Sequence, residues 1–220
     1  MLRSEGELKA GAFLFDLDGT LVDTEEYWAR AMVDWLASRS QSARFEDILP
    51  SIIGRNWIDI DRDLHRRFPA IGESPLEQDA AELRSFYKKY SAGPKIIKSA
   101  VAFFKKAAAA APCAIVSGSP RGDVLAAAAD CGLAGMVALV LGAGDYARGK
   151  PEPDGYLKAA ELLGVEPSRC VVVEDSPVGV ASAVAAGMPA IAVNRRGNPA
   201  SDFPGARWIV GDLSEMEELP

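Results

Sequence analysis

Two pairs of acidic residues in this sequence come directly after short apolar runs, where buried strands would end. Asp16 and Asp18 follow the run AFLF, and Glu174 and Asp175 follow the run VVV. Because residues i and i+2 of an extended chain point to the same side, we expect Asp16 and Asp18 to face one ligand. The two pairs are therefore the first candidates for a chemical site.

Four carboxylates held close together require a counterion. Neighbouring carboxylates repel, and one of them takes up a proton unless a cation neutralises the charge. Oxygen ligands with room for water and a phosphate group suit Mg²⁺, which takes one or two carboxylates from a protein. A soft-metal site is disfavoured, since the chain has one histidine, His65, among arginines. The pattern predicts a Mg²⁺ site on Asp16, Asp18, Glu174 and Asp175.

Polar residues after two further apolar runs complete a set that is suited to phosphate. Ser117 and Gly118 follow the run AIV, and Lys150 stands in the loop after VALVL. With a cation bound, Asp16 can attack phosphorus while Lys150 neutralises the phosphoryl oxygens. Asp18 can protonate the leaving oxygen and then take a proton from water. Ser117 and the backbone around Gly118 can donate hydrogen bonds to the phosphoryl group.

Five apolar runs predict the strands that position these residues. They are Ala12–Phe15, Ala114–Val116, Val137–Leu141, Val171–Val173 and Ala190–Val193. Continuous runs of this length suit strands that are buried on both faces of a parallel sheet. Helical patterns separate the last four runs, so we predict an α/β fold with a doubly wound parallel sheet. In such sheets ligands bind beyond the carboxyl ends of the strands.

The best-defined helix begins after the second acidic pair. Ser176 is a suitable N-cap, Pro177 a suitable first helical residue and Gly187 a suitable residue just beyond the end. The spacing of Val180 and Val184 places both on one helix face.

A stretch without strand patterns follows the first acidic pair. From about residue 25 to residue 93, apolar residues recur at helical spacing, and three of the four tryptophans lie there. We interpret these aromatic residues as the core of a small helical bundle rather than as a ligand cage. The pattern predicts an α/β core domain of residues 1–24 and 94–220, with a helical cap domain of residues 25–93 that acts as a lid.

The composition argues against several classes of partner. With 24 Lys and Arg against 31 Asp and Glu, the net charge is −7, which disfavours nucleic acids and anionic membranes. We identify neither a membrane-spanning run nor a signal peptide, and the three cysteines have no paired spacing. We expect a cytoplasmic protein with reduced thiols, a monomer or weak dimer, that binds a small phosphorylated metabolite and neither nucleic acid nor membrane.

Four motifs stand in order along almost the whole chain. They are FDLDGTLVDT from residue 15, IVSGSPR from residue 115, GKPEPD from residue 149 and VEDSPVG from residue 173. With them the chain resembles the haloacid dehalogenase-like (HAD) hydrolase superfamily, in its capped phosphoglucomutase-like and sugar-phosphatase branch. The resemblance implies a Rossmann-type core with a helical cap, and a Mg²⁺-dependent phosphatase that acts on a small metabolite such as a sugar phosphate.

The resemblance also implies roles for single residues. Asp16 is the nucleophile that forms an aspartyl-phosphate, and Asp18 is the general acid and base. Ser117 and Lys150 bind the phosphate group. The residues implied around Mg²⁺ are Asp16, Asp18 through its carbonyl, Asp175 and, nearby, Glu174.

Departures from related groups favour a phosphatase. Dehalogenases resemble this chain but lack a second carboxylate at the position of Asp18. Mutases of the β-phosphoglucomutase type carry a histidine where Trp28 stands, and a cap arginine three residues after the glycine that matches Gly54. That place is Trp57 here, and Arg55 is shifted by two positions. A phosphomutase is the alternative function.

Two further interpretations explain less of the sequence. The segment 144–150 matches GxxxxGK of a P-loop, but Pro151 replaces the Ser or Thr that holds Mg²⁺. A phospho-accepting switch of the receiver type also combines acids, a hydroxyl and a lysine, yet accepts phosphate on a later strand and has no cap. Turnover of free phosphate distinguishes an enzyme from such a switch.

Two arginines are weaker candidates for contact with an anionic substrate. Arg55 lies in the helical stretch, and Arg121 follows the turn after Ser119. Arginines at such places are often surface charges, so both assignments stay open.

Overall fold

Residues 9–52, 57–90, 95–218 and 220 are described by a computed structural model of the chain. The strands are β1 (Ala12–Phe15), β2 (Val22–Asp23), β3 (Lys95–Ile96), β4 (Cys113–Pro120), β5 (Val137–Ala143), β6 (Cys170–Glu174), β7 (Ala190–Val193) and β8 (Trp208–Val210). The α-helices are α1 (Glu25–Ser38), α2 (Phe45–Ile52), α3 (Trp57–Arg67), α4 (Leu76–Tyr87), α5 (Lys98–Ala108), α6 (Arg121–Asp130), α7 (Asp154–Leu163) and α8 (Pro177–Ala185).

The chain forms two compact units, one of Met1–Leu21 with Ile96–Pro220 and one of Val22–Lys95. The sequence predicts domain boundaries at residues 24–25 and 93–94, and the second of these lies outside the described residues. The division into a core domain and a cap domain therefore stays a prediction.

Six strands of the first unit form one parallel sheet, in the order β5–β4–β1–β6–β7–β8. Numbered along the chain, with β1, β4, β5, β6, β7 and β8 as 1 to 6, this is the order 3-2-1-4-5-6. The winding reverses beside β1, as in doubly wound α/β folds. The predicted fold class is confirmed.

The predicted strands differ from the observed ones mainly at the sheet edges. The runs 12–15 and 190–193 are strands with the predicted bounds, and the other three lie inside longer strands. The expected burial on both faces is wrong for the first part of β5, because β5 is an edge strand and Ala138 is exposed. The short edge strand β8 was not predicted, although its three residues form a short apolar run.

Helix α8 begins and ends where its capping residues predict. The Ser176 hydroxyl accepts a backbone hydrogen bond from the first turn at 3.0 Å, and Gly187 has a φ of +71°. Val180 is fully buried, whereas 41% of Val184 is exposed. The buried stripe continues instead through Ala183, three residues after Val180.

Helices α1 to α4 give the second unit a core of its own. Its fully or nearly buried members are Ala29, Met32, Trp35, Leu36, Ile48, Ile52, Ile60, Leu64 and Leu83. The tryptophans of this unit belong to that packing, because Trp28 and Trp57 pack against the same core. Helix α2 was not predicted, and it contains Pro50, a residue that usually ends helices.

The apolar segments pack inside the units. Among the helices that the structure describes, none combines the length and apolar character needed to cross a membrane. The three cysteines are free and buried, as the sequence indicates. Burial raises the pKa of the Cys113 thiol to about 12, so this thiol is protonated at neutral pH.

Candidate active site

The carboxyl ends of β1, β4 and β6 bring the predicted polar residues to one edge of the sheet. Phe15 pairs with Ile115 of β4 and with Val173 of β6. The Asp16 backbone N–H donates to the Val173 carbonyl at 3.0 Å, so the register continues into the first motif. Because strand winding reverses here, the residues lie where doubly wound sheets bind ligands.

A buried ion-pair network joins Asp16, Lys150 and Glu174. The Lys150 Nζ lies 2.5 Å from Asp16 Oδ1 and 2.5 Å from Glu174 Oε1. Burial lowers the pKa of Lys150, but the two carboxylates outweigh burial and hold it well above its usual value. The lysine is therefore charged, and its ammonium group can neutralise carboxylates or phosphoryl oxygens.

Glu174 is a fixed anionic group at the centre of this network. It is fully buried, and the Tyr156 hydroxyl donates to its Oε1 at 2.7 Å. The Ser176 hydroxyl donates to Oε2 at 3.1 Å. A Cβ on Gly179 would lie 1.9 Å from Oε1, so the absence of a side chain at this position makes room for the carboxylate. These contacts allow Glu174 to position Lys150.

The Asp18 carboxylate lies beside the hydroxyl groups that follow β4. Ser119 Oγ donates to Asp18 Oδ2 at 2.8 Å, and Ser117 Oγ donates to the same oxygen at 3.2 Å. The Ser119 backbone N–H donates to Ser117 Oγ at 3.0 Å and orients that hydroxyl. The structure thus places the predicted acid–base group next to the predicted phosphate ligand.

Asp175 packs against the first motif. The Thr20 hydroxyl donates to Asp175 Oδ1 at 3.2 Å. Gly19 has a φ of +88°, and a Cβ there would lie 2.2 Å from Asp175 Oδ2. Glycine is required here both for the backbone conformation and for the close approach of the carboxylate. Burial, together with the charge of Glu174, raises the pKa of Asp175 to about 7.

Asp16, Glu174 and Asp175, here called the sheet cluster, each offer a carboxylate oxygen within 4.8 Å of the others. Burial also raises the pKa of Asp16 well above its usual value, although Lys150 opposes this. The raised pKa values mean that the surroundings do not fully compensate the negative charge of the carboxylates. A divalent cation supplies the missing charge, and an oxygen-only donor set is the type that Mg²⁺ prefers. The residues present therefore fit a divalent metal.

The remaining predicted residues lie in different surroundings. Gly118 is exposed, and nothing lies within 4 Å of the place where its Cβ would be, so space is open beside Ser117. Arg121 is also exposed, and its Nε lies 3.7 Å from Asp145 Oδ2. Arg55 lies outside the described residues.

Other residues of this region were not predicted as site residues. They are Thr20, Ser119, Tyr146, Tyr156 and Arg195. Thr20 and Ser119 lie inside the motifs, so their hydroxyl groups could have been identified from the sequence as site candidates. The Tyr146 hydroxyl donates to the Ser117 carbonyl at 2.8 Å, and the Arg195 guanidinium donates to the Gly19 carbonyl. Tyr146, Tyr156 and Arg195 carried no such signal, because the folded sheet brings them to the site.

Comparisons with known proteins agree with this arrangement. Residues 10–187 match the family model of haloacid dehalogenase-like hydrolases. The chain is 36% identical over 190 residues to hexitol phosphatase A of Escherichia coli (strain K12), covering 85% of this chain and 84% of the relative. It is 28% identical over 208 residues to validoxylamine A 7'-phosphate phosphatase of Streptomyces hygroscopicus subsp. limoneus, covering 92% and 94%.

A solved structure extends the comparison to the fold. An HAD family hydrolase from Deinococcus radiodurans R1, with bound phosphate and sodium, superposes with a TM-score of 0.71 at 28% sequence identity. The superposition covers 95% of this chain and 94% of that chain. The similarity therefore extends beyond the four motifs to both compact units.

Proposed function

Because this chain belongs to the haloacid dehalogenase-like hydrolase family and is a phosphatase of that family, we propose that it hydrolyses a small phosphorylated metabolite through an aspartyl-phosphate on Asp16. A divalent metal, Mg²⁺, assists the reaction. The observation that carries the proposal is the buried network in which Lys150 contacts both Asp16 and Glu174, beside Asp175. This network joins a nucleophile, a fixed cation and a set of metal ligands.

The two aspartates of the first motif divide the chemistry between them. The Asp16 carboxylate attacks phosphorus, forms a P–O bond and releases the substrate oxygen. Asp18 donates a proton to that oxygen, and its carboxylate then accepts a proton from the water that cleaves the aspartyl-phosphate. The hydroxyls of Ser117 and Ser119 hold Asp18 beside the position of the phosphoryl group.

Lys150 and Ser117 bind the transferred group. In the structure the Lys150 ammonium group contacts Asp16 and Glu174. Glu174 would hold this group in place while it also contacts the phosphoryl oxygens of a bound substrate. The open space beside Gly118 allows the Ser117 hydroxyl and neighbouring backbone N–H groups to donate to the same oxygens. The lysine therefore reduces the repulsion between an anionic nucleophile and an anionic substrate.

The metal site uses the same edge of the sheet. Asp16, Asp175 and the Asp18 carbonyl hold the ion, with Glu174 nearby. When bound, Mg²⁺ supplies positive charge that polarises the phosphoryl group. The fit of the sheet cluster to a divalent cation supports this assignment.

Hydrolysis is favoured over phosphoryl transfer between two positions of a sugar by the surroundings of Trp28. Its ring stacks on Tyr87 at 4.2 Å and meets the edge of Trp57 at 4.8 Å. The indole N–H of Trp28 donates a hydrogen bond but the ring does not accept a proton, so it cannot act as an acid and base towards a sugar hydroxyl as the histidine of the mutases does. Trp28→His tests this point. We expect the wild type to release phosphate without isomerising a sugar phosphate, and mutase turnover by the wild type would contradict the proposal.

The substrate class follows from the relatives. One is named for hexitol and another for validoxylamine A 7'-phosphate, which favours a hexitol phosphate or another sugar phosphate as substrate.

The decisive experiment is a phosphate-release screen of the full chain over hexitol phosphates, sugar phosphates, phosphoglycolate and nucleotides, with Mg²⁺ and with chelator. We expect Mg²⁺-dependent turnover on a sugar or hexitol phosphate. Absence of turnover on every compound, or undiminished activity of Asp16→Asn, contradicts the proposal. A stable phospho-Asp16 without turnover indicates the switch instead.

A further inference from the structure

A second cluster of metal-binding side chains lies in the unit Val22–Lys95. Asp61 and His65 are one turn apart on α3, so their side chains lie on the same helix face. Asp79 of α4 faces them. These three residues, here called the helix cluster, take no part in the phosphatase site described above.

The three donor atoms already lie at distances that are close to those of a metal site. His65 Nε2 lies 2.8 Å from Asp79 Oδ2 and 3.7 Å from Asp61 Oδ1. All three donors lie within 4.8 Å of one another. Zn²⁺ with tetrahedral ligands at about 2.0–2.1 Å places neighbouring donors about 3.3 Å apart. Small side-chain rotations therefore suffice to form the site.

Asp79 is held so that one oxygen faces the histidine. Its side chain is 1% exposed, and Ser74 Oγ donates to Oδ1 at 2.7 Å. Arg39 lies 4.0 Å from the same oxygen. These contacts fix Oδ1 and direct Oδ2 towards His65 Nε2. Metal-binding carboxylates are commonly oriented by such outer hydrogen bonds.

The electrostatics of the cluster favour a cation. Two carboxylates, those of Asp61 and Asp79, offer oxygens within 4.8 Å of each other and of a ring nitrogen of His65. The arginines after His65 do not supply the missing charge, since Arg66 pairs with Asp63 and Arg67 lies 3.4 Å from the same carboxylate. The sequence alone disfavours a soft metal because of these arginines, and the structure shows that they are engaged elsewhere.

The cluster is also accessible. The side chains of Asp61 and His65 are 21% and 22% exposed, so an ion can enter and water can complete its coordination. Imidazole nitrogen suits Zn²⁺ and its transition-metal neighbours better than it suits Mg²⁺. We propose that Asp61, His65 and Asp79 bind a divalent transition-metal ion of the zinc class, which links α3 to α4 and is separate from the Mg²⁺ site. The His65 Nε2 proton passes to solvent as the ion binds.

The test is a competition titration of the full chain with Zn²⁺ and a chromophoric chelator, for the wild type and His65→Gln. Because the sheet cluster is unchanged in His65→Gln, the wild type should bind one equivalent of Zn²⁺ more than this variant does. Ser74→Ala should keep that equivalent but weaken its affinity by about tenfold. Asp47→Asn, an exposed acid of α2, is the matched control and should bind as the wild type does. Equal stoichiometry and affinity in the wild type and His65→Gln overturn the proposal.

Co²⁺ absorption gives a second measurement that does not depend on activity. Tetrahedral Co²⁺ with an imidazole ligand absorbs strongly in the visible range, and the band should disappear in Asp61→Asn. Asp61 is partly exposed, so this variant tests the site without disturbing the buried Asp79, and circular dichroism checks its fold. A Co²⁺ spectrum that is the same in the wild type and Asp61→Asn contradicts the assignment and leaves an ion pair.

Discussion

The sheet cluster and the helix cluster each gather carboxylates, but they differ in donor chemistry and in what positions them. In the sheet cluster all donors are oxygens, a lysine lies inside the network, and the register of parallel strands sets the spacing. In the helix cluster an imidazole takes one place, and the packing of two helices sets the spacing. The comparison predicts that similar acidic groups select different metals, because the donor set and the neighbouring cationic side chains differ.

The largest expected effect is a loss of catalysis on substitution in the sheet cluster and none on substitution of an exposed acid in the helical unit. Asp16→Asn should reduce phosphate release by at least about 10³-fold, since it removes the nucleophile while keeping the shape of the side chain. Asp47→Asn, an exposed acid of the helical unit, should keep full turnover. Steady-state phosphate release measures both, and thermal unfolding confirms that both variants are folded. Substantial activity in Asp16→Asn would remove the sheet cluster from the mechanism.

Removal of the internal cation should destabilise the sheet cluster strongly. Lys150→Met leaves Asp16 and Glu174 without their partner, and breaking a buried ion pair costs about 3–5 kcal/mol. Arg44→Met, which breaks an exposed pair with Asp47 in the helical unit, should change the stability little, because solvent screens this pair. Urea unfolding with chelator present measures both. Added Mg²⁺ should restore part of the stability that Lys150→Met loses, and equal losses in both variants would contradict the comparison.

Space around Glu174 gives a third contrast. Gly179→Ala places a Cβ 1.9 Å from the carboxylate, and such overpacking costs about 1–3 kcal/mol. For a chain of this size, the melting temperature should fall by roughly 2–4 °C per kcal/mol. Gly118→Ala adds its Cβ in open space, so its free energy of unfolding should lie within about 0.5 kcal/mol of the wild-type value. Calorimetry measures both, and an unchanged Gly179→Ala would show that Glu174 is not held tightly.

Two tyrosines allow the smallest comparison. The Tyr156 hydroxyl donates to buried Glu174, and the Tyr90 hydroxyl donates to the partly exposed Asp34, each at 2.7 Å. Tyr156→Phe should cost about 1.5 kcal/mol and lower kcat several-fold, because a buried charge loses a donor. Tyr90→Phe should cost less than about 0.5 kcal/mol, since water replaces the hydroxyl. A larger loss of stability in Tyr90→Phe than in Tyr156→Phe would contradict the prediction that the buried hydrogen bond contributes more.

Local patterns in the sequence predict the sheet and most of the polar residues at its edge. Asp16, Ser117 and Glu174 each directly follow an apolar run that predicts a strand. Parallel strands present their carboxyl ends at one edge of the sheet, so these polar residues are expected together there. Spacing of helical residues also predicted the packing of Trp35 in a separate helical core. Local patterns suffice for these features because strand periodicity and capping are short-range.

Tertiary structure alone decided which side chains complete each cluster. Tyr156 reaches Glu174 because α7 packs on the sheet, and nothing in its own segment marks a hydroxyl for that carboxylate. Asp79 contacts His65 because α3 and α4 pack together. The sequence neighbours of His65 include arginines, and they do not indicate that a buried aspartate of another helix lies beside it. Burial and long-range contact depend on what packs above a residue, and a linear pattern does not contain that information.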